Sequence, residues 1–317
     1  MSARITLHVS EAAQLLKEGK AVAIPTETVY GLAANALDAD AVARIFEIKN
    51  RPDFDPLIVH VPTIEDAERY VASFNDTARK LSENFWPGPL TIVLRKKDII
   101  PDIVTAGLDT VGIRMPNHPV TTELLSQIDF PLAAPSANPF GYISPTTAQH
   151  VSDQLGEHIP LILDGGPCNI GVESTIIDLS GDHAVILRMG GIPVEAIEDC
   201  IGPVRVNTSS SSSPKAPGML VSHYAPHKKF LLGNIEELIS QNPGRRIAVL
   251  SFDSAFMSDK NIILSQDKNL NEAARNFFHA MRELDRTDCD VIIAEPVPDV
   301  GLGRAINDKL RRAAGKN

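Results

Sequence analysis

Residues 207–218 read Asn-Thr-Ser-Ser-Ser-Ser-Ser-Pro-Lys-Ala-Pro-Gly, and this stretch divides the chain. Five consecutive serines bring nothing apolar to bury, and the prolines favour extended backbone, so the run reads as a linker and not as part of a core. The charge balance changes at the same place. Residues 1–205 carry 15 basic and 27 acidic side chains, a balance of −12, whereas residues 206–317 carry 15 and 13, a balance of +2. The expected organisation is a first domain at 1–205, a tether at 206–228 whose second half, Met219 to His227, is less featureless than its first, and a second domain at 229–317. A length of 317 residues suits two domains, and 43% hydrophobic with 22% charged residues is ordinary for a globular chain.

On the N-terminal side of the linker, short apolar runs alternate with amphipathic segments. The runs at 21–24, 57–61, 91–94, 111–115, 132–134, 161–163, 175–179 and 184–187 predict strands, and those at 40–49, 65–74, 76–85, 120–127 and 147–155 predict helices. Several strands follow one another too closely for helical crossovers throughout, so a mixed sheet is expected. On the C-terminal side, strands at 247–252 and 291–294 and helices at 234–240, 271–284 and 304–313 predict a small three-layer α/β domain with a largely parallel sheet.

Cys168, Cys200 and Cys289 lie far apart and make no CxxC pair, which suits a reducing cytoplasm and argues against a zinc ribbon or disulfide framework. The N-terminus lacks the apolar core of a secretory leader, and no apolar run reaches the ~20 residues that span a bilayer. A net charge of −10 disfavours stable binding to nucleic-acid phosphates. Phosphate loop, nucleophile elbow and HExxH motifs are absent, and Gly301-Leu302-Gly303-Arg304 fails GxGxxG. His223 and His227 have the spacing of a helical metal pair, but Pro226 between them disfavours the helix it requires.

What remains is a set of polar residues at strand ends. Pro25-Thr26-Glu27-Thr28-Val29-Tyr30-Gly31 follows a strand, with Gly31 expected to permit a tight turn. Lys49-Asn50-Arg51-Pro52 ends a helix and presents two cations suited to a triphosphate, and His60 lies near the far end of the next strand. Arg114 interrupts an apolar strand, so it belongs either to an internal ion pair or to a ligand carboxylate or phosphate. Ser136 and Asn138, Glu173 to Asp178, and Arg188 to Gly190 repeat the pattern. Five such segments converge on a polar anion site.

In their order and spacing these segments, with Pro217-Gly218-Met219 and His223-Tyr224-Ala225-Pro226 of the tether, resemble the threonylcarbamoyl-AMP synthase family in its long, two-domain form. Asn50 and Asp55 are variants, standing where glycine and asparagine are frequent. The resemblance implies a twisted mixed-sheet catalytic domain, a Rossmann-like second domain, and a tether that closes over the site. It implies a nucleotidyltransferase that converts L-threonine, bicarbonate or CO2, and ATP with Mg²⁺ into L-threonylcarbamoyl-AMP and pyrophosphate. No dedicated protein site for the metal is expected. The product would feed tRNA threonylcarbamoyladenosine modification through other proteins. Carried over residue by residue, Thr28, His60, Arg114, Ala134 and Ser174 would surround threonine. Lys49, Arg51, Asp55, Thr110, Ser136, Asn138, Ser144 and Arg188 would surround ATP, with His223 or Tyr224 closing over it, and Lys49 and Arg51 as the catalytic cations. Competing expectations are an RNA-binding or ribosome-associated module and a carbamoyl transferase with another acceptor.

Overall fold

In the computed structural model, which describes residues 2–52, 54–207, 216–218 and 223–315, the apolar runs of the first domain pair into one sheet of eleven strands. These are β1 (Arg4–Thr6), β2 (Val22–Ile24), β3 (Gly31–Asn35), β4 (Ile58–His60), β5 (Leu90–Arg95), β6 (Thr110–Arg114), β7 (Leu132–Ala133), β8 (Leu161–Leu163), β9 (Thr175–Asp178), β10 (Val185–Arg188) and β11 (Arg205–Val206). Their spatial order is β1-β8-β2-β3-β7-β4-β6-β5-β9-β10-β11. The sheet is mixed: β4 pairs parallel with β6 and β5 parallel with β9, while β5 and β6 run antiparallel.

Strand side chains alternate between faces, and the two faces are covered differently. Ala23, Leu32, Val59, Ile92, Ile113, Ile177 and Ile186 point to one face, where they form the main core with Val42, Ile45, Ala67, Leu81, Val104 and Ile197. Those partners come from α2 (Ala39–Lys49), α3 (Ile64–Tyr70), α4 (Asp76–Phe85), α5 (Asp102–Thr105) and α8 (Val194–Ile201). On the other face, Val22, Ile24, Ala33 and Leu132 are covered by α1 (Val9–Lys17) and α6 (Pro119–Ser126), but only near one end of the sheet. In the middle of that face Ile58, Val93, Ile176 and Leu187 pack against Ala216 of the tether. The polar site lies on this stretch, which carries no helix of the first domain.

The second domain is a four-stranded sheet in the order β12-β15-β13-β14, built from β12 (Lys229–Leu232), β13 (Ile247–Ser251), β14 (Lys260–Ile263) and β15 (Val291–Ala294). All its pairs are parallel. Ile247, Val249, Val291 and Ile293 face α9 (Ile235–Ser240). Ala248, Leu250, Ile292 and Ala294 face α10 (Leu270–Asp285) and α11 (Leu302–Ala314), which completes three layers. The same apolar cluster extends through Tyr224 of the tether to Val29, Ile143 and Val172 of the first domain, so α10 and its neighbours lie against the uncovered side of the large sheet.

Some elements differ from those expected. The helix expected over 65–74 stops at Tyr70, because Val71 turns extended and bridges Lys96 at the sheet. The helix expected over 147–155 is α7 (Ala148–Leu155), whereas α1, α5, α8 and strands β1, β3, β11, β12 and β14 are additional. Gly31 makes no tight turn; it opens β3, where an added Cβ would lie 3.3 Å from the Ala134 Cβ. The serine run 209–213 and Met219 lie outside the described residues. No described helix is long and apolar enough to cross a membrane.

The docking of α10 depends on Gly171, whose φ is +79° and whose added Cβ would meet the Ala274 carbonyl oxygen and Arg275 Cα at 2.5 Å. Gly171→Ala is expected to lower the unfolding free energy by about 2–4 kcal/mol, from the left-handed backbone and the clash together. Denaturant titration checks this, and a loss below about 1 kcal/mol would show that α10 gives way.

Candidate functional site

The middle of the uncovered face gathers the polar residues by strand parity. His60 ends β4 and Arg114 ends β6, and the two are register partners of adjacent parallel strands. Thr91 on β5 and Ser174 just before β9 lie on the same face, with their hydroxyls 2.8 Å apart. Arg188 needs more than parity, since simple alternation along β10 would send it to the core with Ile186. A bulge between Ile186 and Arg188 sets Ile186 opposite Ile177 and Arg188 opposite Ile176, and so turns the guanidinium onto the site face. There its Nε donates to the Ser174 carbonyl and its Nη2 to the Ser174 hydroxyl, each at 3.0 Å.

These groups line a cavity of about 50 Å³. Thr28, His60, Arg114 and Ala134 form one part of its wall, and Arg51, Ser136, Ser174 and Arg188 another. The tether closes it with Pro217, Gly218, His223 and Tyr224. Sequence left a choice between His223 and Tyr224, and both face the cavity. The His223 ring packs edge-on against Tyr224 at 4.1 Å and against Phe140 at 6.0 Å, with Arg51 5.8 Å from the Phe140 ring centre. Tyr224 has a φ of 63°, and Gly218 a φ of +82°; a Cβ on Gly218 would stand 2.7 Å from the tyrosine hydroxyl.

Charge on this face is held in pairs. Arg114 Nη2 lies 2.7 Å from Glu27 Oε1 and donates to the Thr28 hydroxyl at 2.9 Å. Arg51 pairs with Asp55 at 2.9 Å and donates to the carbonyls of Asp55 and Pro56. Arg188 is held differently, by the neutral oxygens of Ser174 and Pro217. A buried guanidinium with neutral partners at the wall of a cavity is a strong seat for a phosphate or carboxylate.

Not every expected contact residue reaches the cavity. Lys49 was expected to grip a triphosphate, yet its Nζ is buried and donates to the Ser136 carbonyl at 2.5 Å and to that of Asn138. It holds the loop that presents Ser136, because carbonyls of that loop are the nearest acceptors to a buried ammonium. Burial and the neighbouring Arg51 cation pull its pKa well down. Asn50 takes the left-handed helix cap at φ 49°, which asparagine tolerates. Asp55 sits beneath Arg51. Asn138 donates to the carbonyls of Pro139 and Tyr142, and the Ser144 hydroxyl donates to Glu173 Oε1 at 2.7 Å, so both act from behind the wall. Thr110 lies at the opposite end of β6 from Arg114, across from Arg95, and does not line the cavity. His227 pairs instead with Asp285, 3.0 Å away. Among the described residues no group of three or more His, Cys, Asp or Glu side chains is placed to hold a metal ion.

Sequence reasoning placed Glu27 and Glu173 only within polar segments of the expected site and gave Lys309 no reading. Glu173 lines the cavity and meets Lys309 of α11, whose Nζ is 3.3 Å away and fully buried. The signal for Lys309 was its place on the buried stripe Leu302, Ala305, Ile306, Leu310 and Ala313, where a lysine has no apolar reason to be.

A family model described as telomere recombination matches residues 14–190, and one described as threonylcarbamoyl-AMP synthase, C-terminal domain, matches residues 192–315. Threonylcarbamoyl-AMP synthase of Pyrococcus abyssi is 44% identical, with 96% of this chain and 93% of that protein aligned. The Bacillus subtilis protein of the same name is 43% identical over 97% of this chain and 93% of its own length. A crystal structure of P. abyssi Sua5 complexed with L-threonine superposes with a TM-score of 0.93 at 44% identity, covering 97% of this chain and 94% of that one.

Burial, first, and the Arg114 cation, second, hold His60 down to about pKa 3. The unfolded chain therefore takes up a proton below about pH 6.5 that the native state refuses, and stability falls as the pH falls. Between pH 6.5 and 5 this amounts to about 2 kcal/mol for one such histidine. His60→Gln is expected to lose about that much less than the unaltered chain when denaturant titrations at pH 7 and pH 5 are compared; equal losses would show that His60 is charged in the fold.

Proposed function

The chain belongs to the threonylcarbamoyl-AMP synthase family, and from that premise we infer that it converts L-threonine, bicarbonate or CO2, and ATP into L-threonylcarbamoyl-AMP and pyrophosphate, the first step of threonylcarbamoyladenosine modification of tRNA. The observation that carries this reading is the pair Arg114 and Arg188, two buried guanidiniums that line one cavity with Ser174. One suits a carboxylate and the other a phosphate. The superposition with a relative crystallised with L-threonine supports the first assignment.

In this reading Arg114 and the Thr28 hydroxyl receive the threonine carboxylate, and Ile58, Ala134 and Pro135 supply an apolar wall for its side-chain methyl. A single methyl is worth about 1–3 kcal/mol, so any preference over serine rests on how closely that wall fits. His60, held neutral, adds no cation beside the amine and leaves it free to lose a proton. The threonine nitrogen forms an N–C bond to carbon dioxide and gives up a proton. A carbamate oxygen then forms a bond to the α-phosphorus as the bond to the β-phosphate oxygen breaks and pyrophosphate leaves. No protein nucleophile takes part, and catalysis comes from positioning and fixed charge.

Arg188 and Arg51 grip the polyphosphate, Lys49 and Asn138 hold the loop that offers Ser136, and His223 with Tyr224 shuts the cavity over the nucleotide. Mg²⁺ enters as part of the substrate, carried by the phosphates. The carboxylates nearest the site, Asp55 and Glu173, are already paired with Arg51 and Lys309, which suits a metal held by ATP and not by the protein. We assign the reaction to the cytoplasm, with the adenylate passed to separate tRNA-transfer proteins.

Pyrophosphate release measured with ATP, bicarbonate and threonine tests the reading. Arg188→Ala is expected to raise the KM for ATP and Arg114→Ala that for threonine, each by about 10- to 150-fold, the worth of hydrogen bonds to a charged group. Threonine-independent release, or equal effects of both variants on both substrates, would overturn the assignment. A second consequence is thermodynamic. Burial and the neighbouring cations Arg51, Lys49 and Arg188 hold the His223 imidazole down, so an arriving polyphosphate should raise it and draw a proton into the protein. Calorimetric titration with a non-hydrolysable ATP analogue near pH 7.5, in buffers of different ionisation enthalpy, should report net proton uptake; identical heats would contradict it.

A further inference from the structure

Lys309 belongs to the second domain, yet its ammonium sits inside the first. It is fully buried, 3.3 Å from Glu173 Oε2, donates to the Met189 carbonyl at 3.1 Å and lies 5.5 Å from the centre of the Tyr224 ring. Glu173 faces the cavity and accepts from the Ser144 hydroxyl at 2.7 Å. The next residue, Ser174, holds Arg188 through both its carbonyl and its hydroxyl. A second buried cation of the second domain stands behind the other end of the same bond. Arg282 of α10 donates to the Ser144 carbonyl at 3.1 Å, to Gln154 Oε1 at 3.0 Å, and to the Ile143 carbonyl.

A carboxylate enclosed beside the seat of a polyphosphate opposes the ligand at short range and low dielectric. Glu173 is tolerable there only with its charge balanced. The cations of the first domain on this cavity are otherwise committed: Arg114 is engaged by Glu27, Arg51 by Asp55, and Arg188, held by Ser174 and Pro217, is the seat of the phosphate itself. Resting on the reading of the cavity as an ATP and threonine site, we propose that Lys309 is a positioning residue for the nucleotide: the second domain neutralises Glu173 from behind and so permits the polyphosphate to bind against Arg188. The second domain is thus an electrostatic part of the nucleotide site as well as a cover.

Glue between domains and charge balance give different kinetics. In the full-length chain, Lys309→Met is expected to raise the KM for ATP about tenfold or more while the KM for threonine changes less than about threefold. Adding Glu173→Gln removes the uncompensated charge, and the double variant should return to within about threefold of the starting KM for ATP. A double variant as impaired as Lys309→Met, or an unchanged KM in Lys309→Met, would overturn the proposal. Should Lys309→Met fail to fold by thermal melting, Glu173→Gln alone decides. With Lys309 left as an unbalanced cation, its KM for ATP should fall or stay within about threefold, and a tenfold rise would sink the idea. Absence of threonine-dependent pyrophosphate release from the unaltered chain would instead remove the reading of the site on which the proposal rests.

Discussion

A sheet buried on one face by helices must have its other face covered by something, and in this molecule the middle of that face is not covered by its own domain. Ile58, Val93, Ile176 and Leu187 there receive Ala216 of the tether. The polar side chains beside them are enclosed by Pro217, Gly218, His223 and Tyr224, and Tyr224 packs in turn against the second domain. Because the period of a strand is two, His60, Thr91, Arg114 and Ser174 share this face. The partial enclosure makes them a site, since charges withdrawn from bulk water interact more strongly than the same charges fully exposed to it.

That enclosure also explains the distribution of partners. Buried cations without anions are costly, so Arg114 and Arg51 carry carboxylates of their own. Arg188, tied to neutral oxygens, has its orientation fixed while its charge stays available. Preorganised donors of this kind need no rearrangement when charge develops on a reacting phosphate. Histidines in the same cavity are pushed the other way: His60 and His223 are held neutral by burial and by the cations around them.

Much of this was legible in the residues. The serine run marked the division between two sheets, and an arginine at the end of an apolar strand marked Arg114 as a buried charge with a partner. The threonines and glycines of 25–31 announced a polar strand end, although Gly31 proved to serve close packing against Ala134 and not a turn. β3 escaped because Gly-Leu-Ala-Ala-Asn has little strand propensity; its pairing with β2 and β7 overrides that preference. Arg188 could be named as a candidate, but not aimed, because a bulge is a property of two strands and not of one. Lys49 shows the converse limit: its type suited a phosphate, while its reach ended at two carbonyls. Thr110 shares the parity of Arg114 yet lies a strand length away, a distance that parity does not encode.

The contact between Lys309 and Glu173 has a consequence for how such a chain changes over generations. Neither residue can be altered freely while the other stays, since each alone is a buried charge without its counterpart. The two domains are therefore not interchangeable parts. A chimaera that joined this first domain to a second domain lacking the lysine would inherit a carboxylate with no cation behind it, and cutting the chain at the serine run would do the same. Positions 173 and 309 form one electrostatic unit, across a linker whose composition suggests independence.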